Sequence, residues 1–273
     1  MDRRRTPAND RIAASELRGI VPSAEYTNGW TMCVGTPVVD LCQSARGNRD
    51  RQLQLGAVVQ VFEDHQGWSF VRSHADGYVG YVPVDTLQPY VQPTHRVGSF
   101  ATHAYLEPDM KSPDVMSLRF GAQLSVLDER KSFFETNIGF VPKRHLRPLD
   151  RPFSDPATIA QLHFGVPYLW GGNTTLGIDC SGLVQAALTA CDIPCPGDSD
   201  MQCAELTGTD IARSDTTRGD LVFWDGHVAM AVDDQTLIHA NAHHMAVAYE
   251  PINAAITRIS AQGDGSPTRI MRL

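Results

Sequence analysis

Residues 165–182 read Gly165-Val-Pro-Tyr-Leu-Trp-Gly-Gly-Asn-Thr-Thr-Leu-Gly-Ile-Asp-Cys-Ser-Gly182, and they deliver a lone cysteine to a place where sulfur becomes a nucleophile. Glycines 165, 171, 172 and 177 and Pro167 keep the approach non-helical. Beyond Cys180, the residues Leu183, Val184, Ala187, Leu188 and Cys191 recur at helical spacing and predict an apolar stripe. Cys180 is therefore expected at or just before a helix N-terminus. The unpaired N–H groups and dipole there favour an anion, so the spacing also predicts a lowered thiol pKa. Asp179 is either the helix N-cap or a recogniser of a cationic substrate group. The competing reading is a small buried cysteine that packs a helix start. A base nearby decides between them.

A base is available in Gly219-Asp-Leu-Val-Phe-Trp-Asp-Gly-His227 and in the run to His239. His227 to Val232 and Thr236 to Ala240 read as short strands, with Asp233-Asp234-Gln235 as turn residues. A hairpin centred on Asp233 sets the two histidines opposite each other on one face, the geometry of a base and its orienter. Cysteine, histidine and a second polar group together make a thiol-protease arrangement.

Pro167-Tyr-Leu-Trp-Gly-Gly172, Ile178-Asp-Cys-Ser-Gly182, Asp198-Ser-Asp-Met-Gln202, Gly219-Asp-Leu221, His227 and Ile238-His-Ala240 keep an order and spacing that resembles the NlpC family of bacterial cell-wall cysteine peptidases. The resemblance covers residues 151–273. It implies a papain-like α+β fold and cleavage of the bond after γ-D-glutamate in peptidoglycan peptides. It makes Cys180 the nucleophile, His227 the general base and His239 the orienting third member. Tyr168 matches the family tyrosine near the oxyanion site, and Asp179, Ser181, Asp198 and Ser199 match positions around the peptide's polar groups.

Residues 30–150 contain an internal repeat. Gly56-Ala-Val-Val-Gln-Val-Phe-Glu-Asp64 corresponds to Gly121-Ala-Gln-Leu-Ser-Val-Leu-Asp-Glu129, and Gly80-Tyr-Val-Pro83 to Gly139-Phe-Val-Pro142. Each copy is a set of short alternating strands with Gly, Asp and Pro breakers, read as a small all-β barrel. Both resemble bacterial SH3-like domains. The expected organisation is an N-terminal extension over 1–29, barrels over 30–90 and 95–149, and the catalytic domain over 151–273. In relatives with two barrels before the peptidase, the first barrel reads the free amine of an N-terminal L-alanine. The resemblance puts Asp50 in the place of the acidic reader, one methylene shorter than the usual glutamate, and Tyr78 in the place of an aromatic wall.

The 273 residues carry 23 Lys and Arg against 31 Asp and Glu, a formal net charge of −8. That balance argues against nucleic acid and against an anionic membrane surface as partner. Six cysteines are too few for a disulfide scaffold in a chain this long. The intervals Cys191-x3-Cys195-x7-Cys203 fit no common zinc pattern, and His239, His243 and His244 read as a catalytic histidine followed by a polar loop, so no metal and no cofactor is expected. Met-Asp-Arg-Arg-Arg5 is followed by charged residues rather than an apolar segment, which leads to an expectation of a cytoplasmic enzyme with reduced thiols.

The resulting expectation is a cysteine endopeptidase that hydrolyses the γ-D-glutamyl bond to meso-diaminopimelate or L-lysine. Its substrate is a small murein peptide with a free N-terminal L-Ala, in murein peptide recycling. The alternatives are an amidase of the N-acetylmuramoyl-L-alanine type, an acyltransferase, and a wall-binding module.

Overall fold

A computed structural model describes residues 1–273, which divide into compact units Met1–Asp150 and Arg151–Leu273. In the first unit, a seven-stranded sheet runs in the order Arg49–Gln54, Val38–Cys42, Val79–Pro83, Trp68–Ser73, Val58–His65, Trp30–Val34 and Leu87–Pro89. Its pairs are antiparallel, with a register shift between Val61 and Glu63 that bends the long strand. The N-terminal segment is part of the same core. Ile12 and Ala14 are buried with Phe62, Phe70 and Val79, and Arg11 forks onto Glu63.

The second copy of the repeat forms a five-stranded sheet, Asp114–Arg119, Ala101–Tyr105, Gly139–Pro142, Phe133–Thr136 and Val126–Glu129, beside the small sheet Gln123–Leu124, His95–Val97 and Leu146–Pro148. Its core of Val97, Ala104, Leu118, Ala122, Leu124, Val141 and Leu146 also takes in Leu55 from the first copy. Gly56 makes this junction possible. Its φ is +78°, and a Cβ there would stand 2.2 Å from the Gln123 carbonyl oxygen.

The second unit has helices Pro156–Leu162, Cys180–Ala190, Ser199–Glu205 and Ile252–Gln262. Its antiparallel sheet runs Thr209–Asp210, Arg269–Arg272, Leu221–Trp224, His227–Ala231, Thr236–Asn241 and Ala246–Pro251. The stripe Leu183, Val184, Ala187 and Leu188 is buried as its spacing demands, and its helix packs on the His227–Ala231 and Thr236–Asn241 strands. Ile252, Ala255 and Ile259 of the last helix cover Val222, Trp224, Ala229, Ala231 and Leu237. The unit is α+β, with one mixed core between helices and an antiparallel sheet. No helix in the chain is long and apolar enough to cross a membrane.

Candidate active site

Asp179 is the N-cap of the helix that begins at Cys180. One carboxylate oxygen accepts from the Gly182 N–H at 2.7 Å and the Ser181 hydroxyl at 3.0 Å, and the other accepts from the Gly171 N–H at 2.8 Å. The side chain therefore caps the helix and holds the glycine-rich approach to its start. Cys180 is 8% exposed, with the Val228 N–H directed at its sulfur. The sulfur thus sits against the first turn of its own helix and beside the residue after His227.

The two histidines come together, but through a different register from the one the sequence implies. The strands pair Met230 with Ile238 and Ala231 with Leu237, two residues away from a register that sets His227 opposite His239. The reason is the turn. Val232 N–H bonds the Thr236 carbonyl, so Asp233-Asp234-Gln235 is a three-residue loop centred on Asp234 rather than Asp233. A displacement of two keeps both side chains on one face and makes them diagonal neighbours, still within reach of each other for rings of this length. His227 Nε2 and His239 Nδ1 are 2.9 Å apart.

Two residues that the sequence analysis did not single out complete the row. Glu250 Oε2 lies 3.0 Å from His239 Nε2, and Arg258 donates through Nε to Oε1 at 2.9 Å and through Nη2 to Oε2 at 2.7 Å. Their signal in the sequence is faint: one acid in the strand Ala246-Val-Ala-Tyr-Glu-Pro251, and a basic residue one helix later. Trp224 is paired with His227 across the strands, with ring centroids 5.7 Å apart.

The electrostatics depart from the lowered thiol pKa that a helix start implies. Burial, reinforced by the neighbouring Asp179 carboxylate, pushes the Cys180 thiol up to about 12, against the pull of the Val228, Ser181 and Cys180 amides. Burial, with Arg258 and His239 nearby, takes His227 down to about 3. Both shifts act against charge separation between the thiol and the imidazole. Burial raises the Tyr168 phenol, and the adjacent Cys180 and Asp179 add to that, so its hydroxyl stays a hydrogen-bond donor. Burial opposes ionisation of Glu250, but the Arg258 and His239 hydrogen bonds outweigh it and hold the carboxyl well below its usual range.

The remaining sequence candidates divide by unit. Ser199 opens the helix Ser199–Glu205 with Asp198 at its N-cap position, where the Asp198 side chain makes no cap bond. That helix is tied to the nucleophile helix by Gln202, whose Nε2 donates to the carbonyls of Ser181 and Pro196 at 2.9 and 3.0 Å. Asp50 and Tyr78 belong to the other unit. Asp50 is neither solvated nor vacant, because Arg3 grips its carboxylate at 2.6 and 2.9 Å. Tyr78 is 2% exposed, with the Arg51 guanidinium 5.1 Å over its ring, so it stands as packing rather than an open wall. His239, His244 and Glu250 bring donor atoms within 4.8 Å of one another. Both His239 nitrogens and both Glu250 oxygens are already committed to hydrogen bonds, and a cation there would meet Arg258.

Comparison with known proteins bears on the fold and the kinds of domain. Residues 165–260 match the NlpC/P60 family, and residues 41–87 match the bacterial dipeptidyl-peptidase Sh3 domain. The chain is 24% identical over 238 residues to a gamma-D-glutamyl-L-lysine dipeptidyl-peptidase of Bacillus cereus, covering 75% of this chain and 71% of that protein. It is 25% identical over 216 residues to dipeptidyl-peptidase 6 of Lysinibacillus sphaericus, covering 70% and 79%. The crystal structure of an NlpC/P60 family protein from Bacillus cereus superposes with a TM-score of 0.75 at 19% identity, covering 89% of this chain and 99% of that one. Residues 165–260, which hold Cys180, His227 and His239, thus resemble an NlpC/P60 domain, and residues 41–87 resemble a bacterial dipeptidyl-peptidase Sh3 domain.

Proposed function

We propose that this protein is a cysteine endopeptidase that hydrolyses the γ-D-glutamyl bond to meso-diaminopimelate or L-lysine in peptidoglycan-derived peptides with a free N-terminal L-Ala, acting in the cytoplasm in murein peptide recycling. The observation that carries this reading is the row Cys180, His227, His239 at the start of a capped helix, with ring nitrogens 2.9 Å apart. The name of the Bacillus cereus relative, a gamma-D-glutamyl-L-lysine dipeptidyl-peptidase, supports the choice of bond.

In the reaction, the Cys180 sulfur attacks the γ-carbonyl carbon as His227 takes the thiol proton. The carbonyl oxygen becomes an oxyanion. The Cys180 N–H, which has no partner within its helix at that first position, and the Tyr168 hydroxyl are donors for it. The imidazolium returns its proton to the leaving amine as the C–N bond breaks. Water, deprotonated by His227, then attacks the thioester, and Cys180 leaves as the thiol's conjugate base and is reprotonated. In this reading Asp50 recognises the substrate amine. Since Arg3 already holds that carboxylate, the amine competes with a guanidinium, and Arg3→Ala is expected to lower KM for free-amine peptides.

The test is mass-spectrometric product analysis with L-Ala-γ-D-Glu-meso-diaminopimelate, its L-lysine counterpart, the same peptides acetylated at the amine, and a Cys180→Ala control. Release of L-Ala-D-Glu from the free peptides, dependent on Cys180, supports the proposal. Equal cleavage of acetylated peptides removes the amine reading by Asp50. Cleavage instead at a sugar–peptide bond makes the protein an amidase.

A further inference from the structure

The row of side chains that begins at Cys180 has five members rather than three, and the hydrogen bonds behind the cysteine fix where each proton lies. An ionised carboxylate only accepts hydrogen bonds, and a guanidinium only donates them. Arg258 occupies both oxygens of Glu250, which orients the carboxylate and keeps it charged. His239 Nε2, 3.0 Å from Glu250 Oε2, must then carry a hydrogen. A neutral imidazole has one N–H, so His239 Nδ1 is a bare acceptor. The group that faces it is His227 Nε2, at 2.9 Å, which must therefore carry the hydrogen of that ring. The Nδ1 of His227 is left with a free lone pair.

From this geometry we infer that Glu250, held by Arg258, is a positioning residue that sets the tautomers of both histidines so that His227 Nδ1 is the base that receives the Cys180 proton. The inference rests on the cysteine-peptidase reading of the site. Burial keeps His239 neutral even beside its carboxylate partner, as a single-proton relay requires. When His227 takes the thiol proton at Nδ1, its Nε2–H still donates to His239, and the new positive charge lies in line with the Glu250 carboxylate.

A conservative substitution removes the bias. In Glu250→Gln both former oxygen positions still face an Arg258 donor, so the amide NH2 meets a guanidinium N–H whichever way it turns and neither orientation is held. In molecules whose NH2 faces His239 Nε2, that nitrogen must become the acceptor, the His239 proton moves to Nδ1, the His227 proton moves to its own Nδ1, and the base is blocked. The expected result is a fall in kcat of roughly 10-fold with KM unchanged, and partial recovery in Glu250→Asp, which restores a charged acceptor. A KM effect without a kcat effect, or an equal loss in Gln and Asp variants, overturns the inference.

Nitrogen-15 NMR of the histidine rings reads the tautomers without any substrate, and it needs no variant to be decisive. Wild-type His227 and His239 are both expected as Nε2–H tautomers, and in Glu250→Gln an Nδ1–H population is expected to emerge on both rings. An Nδ1–H tautomer of either ring in the wild-type protein overturns the inference even if every peptide is cleaved. Absence of cleavage by a wild-type protein with the expected tautomers overturns the peptidase reading alone.

Discussion

Replacing Asp179 with asparagine separates the two jobs this carboxylate does, and the two effects run in opposite directions. The carboxylate accepts from two backbone N–H groups, Gly182 at 2.7 Å and Gly171 at 2.8 Å, one on each oxygen. An amide has one oxygen, so whichever way it turns, one of these donors faces an NH2 group. Gly171 and Gly182 are both buried, and an unsatisfied buried donor costs about 1–3 kcal/mol. Asp179→Asn is expected to lose that much in urea denaturation followed by tryptophan fluorescence. Asp179→Ala, which loses the cap bond as well, is expected to lose more. The same substitution removes the charge that helps hold the Cys180 thiol up, so the thiol becomes more acidic. Alkylation of Cys180 by iodoacetamide at pH 8, followed by peptide mass spectrometry, should therefore be faster in the less stable protein. An unchanged or slower rate in folded Asp179→Asn refutes the claim that this charge bears on the sulfur. Unchanged stability refutes the claim that both oxygens of the cap are in use.

Three further outcomes follow from the same geometry. With the thiol at about 12 and His227 at about 3, wild-type alkylation should keep rising from pH 6 to pH 9, whereas a plateau near neutrality would reveal a resting thiolate–imidazolium pair. Glu250 has its folded pKa depressed below the ordinary value of 4.5, so it stabilises the fold above that pH and the contribution is lost as pH falls below 4.5. Over that acid range wild-type stability should fall more steeply than that of Glu250→Gln, by the equivalent of up to one proton, and parallel slopes would sink the idea. Gly56→Ala must place an L side chain in the left-handed region and a Cβ 2.2 Å from the Gln123 carbonyl, and is expected to cost about 2–4 kcal/mol in urea denaturation. A loss of only a few tenths would mean the junction at Leu55 yields freely.

What could be read from the sequence was whatever depends on near neighbours in the chain. A cap at Asp179, a helix from Cys180 and the apolar stripe after it are all decided within about ten residues, and each has one dominant physical cause. The repeat is legible for the same reason: Gly56 and Gly121 both take positive φ at the same point of their copies, and only glycine does so without strain. The hairpin between the histidines shows where this stops. Its register turned on whether three turn residues centre on 233 or 234, and sequence alone leaves that to a single hydrogen bond, Val232 to Thr236.

Glu250 and Arg258 were invisible for a stronger reason. A buried acid in a strand and a basic residue in a helix are ordinary until the fold brings them into contact, and neither has a spacing to His239 that implies contact. The thiol pKa failed through magnitude rather than through direction of any one effect. The amides at the helix start do pull it down, but burial of Cys180 and the charge on Asp179 pull the other way and win. The cap that makes the helix start recognisable therefore also raises the cost of forming a thiolate there. Both effects oppose storing a thiolate at this helix start. They shift the burden onto the base, and that is why the proton positions on His227 and His239, and the carboxylate that sets them, weigh against the dipole of the helix.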